Sequence, residues 1–149
     1  MKDMKLLFGG AISLILLGLY GYALTEAVRL ALLPGQVPLK AGFAFTISTV
    51  GGLVSALVIA ELAIAKPGEP PVVRALEASA GGTPPSETTK RAVGIVSTLY
   101  VLAWILLGLL AFVVGAMLQA DKVPALTDFG RSWLGLAVAA GYSYFGIKP

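Results

Sequence analysis

Four long apolar stretches separated by short polar ones organise the chain. Leu6 to Thr25 carries no charge, and its helical pattern continues through Glu26 and Arg29 to Leu33, where Pro34-Gly35 ends it. Ala41 to Ala65 is interrupted only by Glu61 and closes at Lys66-Pro67-Gly68. Ala92 to Ala120 is the most hydrophobic run and stops before Asp121-Lys122. The fourth, Asp128 to Ile147, is diluted by Arg131 at its start and by Gly and Tyr in its second half. A helix rises about 1.5 Å per residue and the hydrocarbon core is about 30 Å thick, so roughly 20 apolar residues span it. The pattern predicts an all-α integral membrane protein, with transmembrane helices near 5–33, 41–65, 84–120 and 127–147 forming a single domain of two hairpins.

The first stretch is read as a retained span and not a cleaved leader. Its apolar run is too long for a signal peptide, and Tyr20, Tyr22, Glu26 and Arg29 stand where small residues should precede a cleavage site. Basic residues set orientation. With a cytoplasmic N-terminus, Lys2, Lys5, Lys66, Arg74, Lys90, Arg91 and Lys148 fall inside, against Arg29, Lys40, Lys122 and Arg131 outside, which favours both termini in the cytoplasm. The central linker, 67–83, is expected to hold a short amphipathic helix between Pro70-Pro71 and Gly81-Gly82, with Val72, Val73 and Leu76 on one side. Thr83 with Pro84-Pro85 then suits the cap and first turn of the third span.

In lipid, helices associate through close packing at small residues and a few hydrogen bonds, so small-residue stripes are informative. The second span carries Ala41, Ala44, Ser48, Gly52 and Ser55 at spacings of 3, 4, 4 and 3. The third repeats Gly94, Val101, Gly108 and Gly115 every seven residues, flanked by Ser97, Trp104 and Ala111, in the register of a left-handed heptad. Gly18, Gly21 and Thr25 mark a face on the first span; Gly135, Ala139, Tyr142 and Gly146 mark one on the fourth. These faces are expected to meet inside a four-helix bundle. In the alternative, the face of Ser48, Gly52 and Ser55 lines an oligomeric pore.

Glu61 is the only ionisable residue well inside an apolar run, which makes it a functional candidate by default. Counted from Ala41 it is the twenty-first residue, close to the cytoplasmic interface. At 100° per residue it stands about 140° from Ser48, off the hydroxyl stripe. The expectation is that it reaches the interface or pairs with Lys5, Lys90 or Arg91. Glu26 with Arg29, and Asp128 with Arg131, are spaced for i,i+3 pairs at the outer surface. Trp133 suits the outer aromatic belt, and Trp104, mid-span, suits packing.

Composition narrows the function classes. Hydrophobic residues make up 57% and charged residues 13%, and the net charge of +3 is too small for a nucleic-acid binder. With no Cys and no His there is no thiolate or His-based chemistry, and no acid pair lies within the spans. Neither cofactor nor metal is expected. Asn is absent as well, and Gln occurs only at 36 and 119, a depletion of labile residues and of glycosylation sites. The expected role is a non-enzymatic structural or accessory subunit, in a prokaryotic or viral-host cell membrane, that contacts lipid and either other membrane subunits or copies of itself. The competing role is a small pore of the size and span content of holins or minimal channels; no charged ring or selectivity motif supports it.

Overall fold

The computed structural model describes residues 2–35, 39–64, 87–120 and 122–145, without the side chains of 2–10, 63, 64, 87–90, 92 and 93. The described residues hold four helices and no strand: α1 (Lys2–Leu32), α2 (Ala41–Ile64), α3 (Glu87–Phe112) and α4 (Pro124–Phe145). A π-helical segment, Val113–Leu118, continues α3. Three stretches, Ala11–Leu32, Ala41–Leu62 and Gly94–Leu118, are long and apolar enough to cross a membrane. The helix expected within 67–83 and the cap at Thr83 lie outside the described residues.

Local chemistry sets the helix ends. After α1, Gly35 takes a φ of 94°, a left-handed conformation that costs glycine nothing and strains a residue with a Cβ. α2 starts from the Lys40 carbonyl, which accepts from the amides of Phe43 and Ala44 at 2.9 and 3.1 Å. α4 begins at Pro124, earlier than the charge pattern implied, because proline suits a first helical turn. There the Val123 carbonyl accepts from Leu126 and Thr127 at 2.9 and 3.1 Å.

The helices form a bundle in which α4 packs chiefly on α2 and α3, and α1 packs on those same two from the opposite side. The order around the bundle is therefore α1, α2, α4, α3, with α2 and α3 on one diagonal. Lys122 Nζ donates to the Leu33 carbonyl, joining the α3–α4 connection to the end of α1. Ser97, early in α3, bonds Glu61, late in α2, at the other end. Consecutive helices thus run antiparallel.

Two aromatic side chains of α4 occupy places that only glycine leaves open. Phe129 lies on Gly51 of α2 and Trp133 on Gly108 of α3, and a Cβ at either glycine would overlap the ring. Farther along α3, a Cβ on Gly115 would come within 2.8 Å of Leu126 Cγ and 2.9 Å of the Leu126 carbonyl oxygen. Reciprocally, a Cβ on Gly130 would meet Phe112 Cα at 2.8 Å and the Ala111 oxygen at 2.9 Å. The α3 and α4 backbones are in contact here. The π segment completes the joint: the Gln119 amide bonds the Val114 oxygen, five residues back, at 2.8 Å. An ordinary α turn would have used that amide on Gly115; its carbonyl instead accepts from Thr127 Oγ1 at 2.6 Å.

Small residues face inward on α3, where Gly108, Ala111 and Gly115 are buried, and on α1, where Ala23, Ala27 and Ala31 are. Large residues share the interior, and several of the expected small faces turn out. On α1 the buried set is Tyr20, Ala23, Leu24, Ala27, Val28 and Ala31, while Gly18 and Thr25 are exposed. On α4, Phe129, Trp133 and Ala140 are buried, while Gly135, Ala139 and Tyr142 are exposed. The physical reason is volume: an interior built around indole and phenyl rings needs glycine only opposite a ring or a crossing backbone, and one bare helix suffices on each side of α4.

This packing separates two neighbouring positions on α3. Gly108→Leu should destabilise the bundle by more than the about 1–3 kcal/mol of ordinary overpacking, because the displaced neighbour is a buried indole. Leu109→Ala, on an outward residue 46% exposed, should change stability by about 0.5 kcal/mol or less. Thermal unfolding in detergent or bilayer measures both, and equal tolerance of the two would remove the glycine contact as a determinant.

Candidate functional site

The buried polar groups form a column along the bundle interior. At its middle, Trp104 Nε1 of α3 donates to Ser55 Oγ of α2 at 2.8 Å, and Ser55 Oγ donates to the Gly51 carbonyl at 2.7 Å. Tyr20 of α1 donates through its hydroxyl to the Trp104 carbonyl at 3.3 Å. Trp104 therefore connects three helices, its indole bonding α2 and its backbone carbonyl bonding α1, by hydrogen bonds that lipid cannot replace. Thr127 and Gly115 close the column toward the α3–α4 connection, and Glu61 with Ser97 opens it at the opposite end.

Rings fill the space around these bonds. Tyr20 meets Phe129 edge-on with centroids 6.0 Å apart, and Trp104 and Trp133 lie 5.7 Å apart with planes at 57°. Trp133 is only 4% exposed, so it belongs to the interior and not to the outer aromatic belt its neighbour Arg131 suggested. The reason is Gly108, whose missing side chain is the seat of the indole. Trp104, Tyr20, Leu24, Ile47, Val54 and Val58 are fully buried and occupy the interior beside this ring pair.

The second-span stripe divides. Ser55 points inward to Trp104, whereas Ser48 and Gly52 are exposed, Ala44 is half-buried, and a Cβ on Gly52 would meet nothing within 4 Å. The inward face is Ile47, Gly51, Val54, Ser55 and Val58, rotated by roughly 75° from the centre of the stripe at 100° per residue. Ser48 and Gly52 fall outside it and are exposed, while Ser55, on the edge that the two faces share, is buried. The outward hydroxyls bond their own helix four residues back: Thr46 to Gly42 at 2.9 Å, Ser48 to Ala44 at 3.4 Å, and Thr98 to Gly94 at 2.9 Å. On α3, Gly94 is half-buried, whereas Gly108, Ala111 and Gly115 face α4.

Glu61 lies on the inward face of α2, next in the series Ile47, Val50, Val54, Val58 at spacings of 3, 4, 4 and 3. It is half-buried and accepts from Ser97 Oγ at 3.3 Å. Arg91 is exposed and makes no ion pair with it; the side chains of Lys5 and Lys90 lie outside the described residues. Sequence reasoning placed Glu61 by its angle to the hydroxyl stripe, and the same angle to the Val54–Val58 series would have turned it inward. Among the described residues the one ion pair is Arg29 with Glu26, at 2.6 Å; Asp128 and Arg131 are exposed and unpaired with each other. The described residues contain no cluster of three metal-ligating side chains.

The chain matches no family model, and neither the curated proteins nor the solved structures include one similar to it.

A double-mutant cycle tests the central bond. Ser55→Ala and Trp104→Phe should each cost about 0.6–2 kcal/mol, as interhelical hydrogen bonds in membranes do, and the double variant should cost less than their sum. Strict additivity in unfolding measurements would show that the bond contributes nothing.

Proposed function

We propose that the chain is a non-enzymatic membrane subunit that docks on other membrane polypeptides or on copies of itself through helix faces its own bundle leaves unused. One observation carries this reading. Gly18 on α1, Ser48 and Gly52 on α2, and Gly135 and Ala139 on α4 are small and exposed, and a Cβ added at any of the three glycines would meet nothing within 4 Å. Small residues let helix backbones approach closely in lipid, where that approach is the main source of association. The hydroxyls of Thr46, Ser48 and Thr98 are already satisfied by carbonyls of their own helices, so at these positions the faces meet lipid or another helix at equal cost.

In this reading all four helices cross the membrane as two hairpins, with both termini and the 67–83 linker in the cytoplasm of a prokaryotic or viral-host cell. The antiparallel packing of α4 between α2 and α3 supports a fourth crossing, although α4 is the least apolar of the helices. Its polar and aromatic side chains, Thr127 and Trp133, are spent inside the bundle and not on lipid. The ring-filled interior also argues for work done at the outer surface, since a path through one bundle would have to displace Trp104 and Trp133.

Native mass spectrometry of the protein extracted gently from its own membrane tests the proposal. A fixed stoichiometry with other polypeptides or with itself is expected, and Gly52→Leu should weaken that assembly while leaving the melting temperature of the isolated bundle unchanged. A monomer at all detergent concentrations would contradict the proposal. So would a closed ring that conducts ions in a planar bilayer, which would make the chain a pore-former.

A further inference from the structure

Among the described residues two buried side-chain polar atoms lack a hydrogen-bond partner, Trp133 Nε1 against the rings and Tyr100 Oη on the Glu61 side, and only the second stands near an ionisable carboxylate. The Glu61 carboxylate takes one hydrogen bond, from Ser97, and meets no cationic side chain among those described. One turn deeper on the same face of α3, Tyr100 is 4% exposed and its hydroxyl has no hydrogen-bond partner. Side chains on a helix lean toward its N-terminus, so Tyr100 leans toward the layer of Ser97 and Glu61. A half-buried carboxylate and a buried hydroxyl without a partner therefore face one short stretch of the interior, where low polarity makes both costly.

We propose that Glu61, with Ser97 and Tyr100 as its positioning hydroxyls, is a proton-binding site of the bundle. A proton is the cation that fits. The three side chains offer four oxygens between them, fewer than the roughly six to eight that a metal ion such as calcium takes. Because the Tyr100 hydroxyl is sealed, an ion with its own ligand shell would have to push the helices apart, and a proton would not. Binding a proton changes the roles in the site. An ionised Glu61 only accepts, as it does from Ser97; a protonated Glu61 carries a donor as well and serves a hydroxyl acceptor beside it.

Among the described side chains, the other titratable or charged groups toward this end are Tyr100 and the exposed Arg91 on α3, Tyr20 on α1, which is deeper and already bonded to Trp104, and Tyr142 and Tyr144 in the C-terminal half of α4. The side chains of Lys2, Asp3, Lys5, Glu87 and Lys90, at the starts of α1 and α3, lie outside the described residues. Glu61 falls in the last turn of α2, three residues before Ile64, so its proton exchanges with water at that end of the bundle. The proposal is independent of the subunit reading, since Glu61 faces inward and its replacement leaves the outward docking faces intact.

Infrared spectroscopy of the full chain in phosphatidylcholine vesicles at neutral pH tests it. The wild type should show a protonated-carboxyl C=O absorption that is missing in Glu61→Gln and changes frequency in Ser97→Ala. Tyr100→Phe should move the pH at which the absorption disappears. Glu61→Gln, which copies the protonated form, should keep the wild-type melting temperature, so loss of the band cannot be put down to misfolding. Identical wild-type and Glu61→Gln spectra would overturn the proposal. It would equally fall if the band emerged only in Lys5→Gln or Lys90→Gln, since Glu61 would then be the ionised half of a salt bridge.

Discussion

The bundle depends on two aromatic rings seated on bare backbone. Phe129 and Trp133, one turn apart on α4, rest on Gly51 of α2 and Gly108 of α3, and between them Gly130 lets the α3 backbone come against α4. Hydrophobicity cannot hold helices together in lipid, so contact area has to come from shape. Rings opposite glycines supply it. The same arrangement brings Trp104 against Trp133 and within reach of Ser55, and the buried hydrogen bonds follow from the packing.

Much of the helical layout could be read from the sequence, because the apolar runs are long and their ends are marked by Pro34-Gly35, Lys66-Pro67 and Asp121-Lys122. Part of the α3 stripe was also legible: Gly108, Ala111 and Gly115 are buried, while Gly94 and Val101, its other two heptad positions, are half-buried. The rotation of α2 was not. Its smoothest stripe and its buried stripe differ by about 75°, and a rule that puts small residues inward chooses the wrong one when the neighbouring helix brings rings. The Gly51-Gly52 pair illustrates the ambiguity: one glycine is essential to the contact with Phe129 and the next touches nothing. Only the partner's side chains distinguish them, and sequence spacing within α2 does not contain that information. Trp133 was misplaced for the same reason, its seat being on another helix.

Interior and exterior thus have separate duties. Inside, indole, hydroxyl and carbonyl groups pair with one another and fix the register of the four helices. The exceptions among the described residues are the Trp133 indole N–H, which has no acceptor, and the Glu61 end, where a carboxylate and an unpaired hydroxyl share the same stretch of the interior. Outside, the faces are largely apolar or small, and the hydroxyls of Thr46, Ser48 and Thr98 turn back on the helix that carries them. In the proposed reading the small outward faces serve assembly, while the Glu61 carboxylate is turned toward the bundle interior.

The rotation of α2 underlies both duties, and spin labelling measures it directly. The chain has no cysteine, so single-cysteine variants need no background removed. Labels at Ser48→Cys and Gly52→Cys in bilayers should collide freely with dissolved oxygen, while labels at Val54→Cys and Val58→Cys should be protected. The reverse pattern, with 48 and 52 shielded and 54 and 58 open to lipid, would contradict the inward packing of α2 and, with it, both the docking faces and the interior position of Glu61.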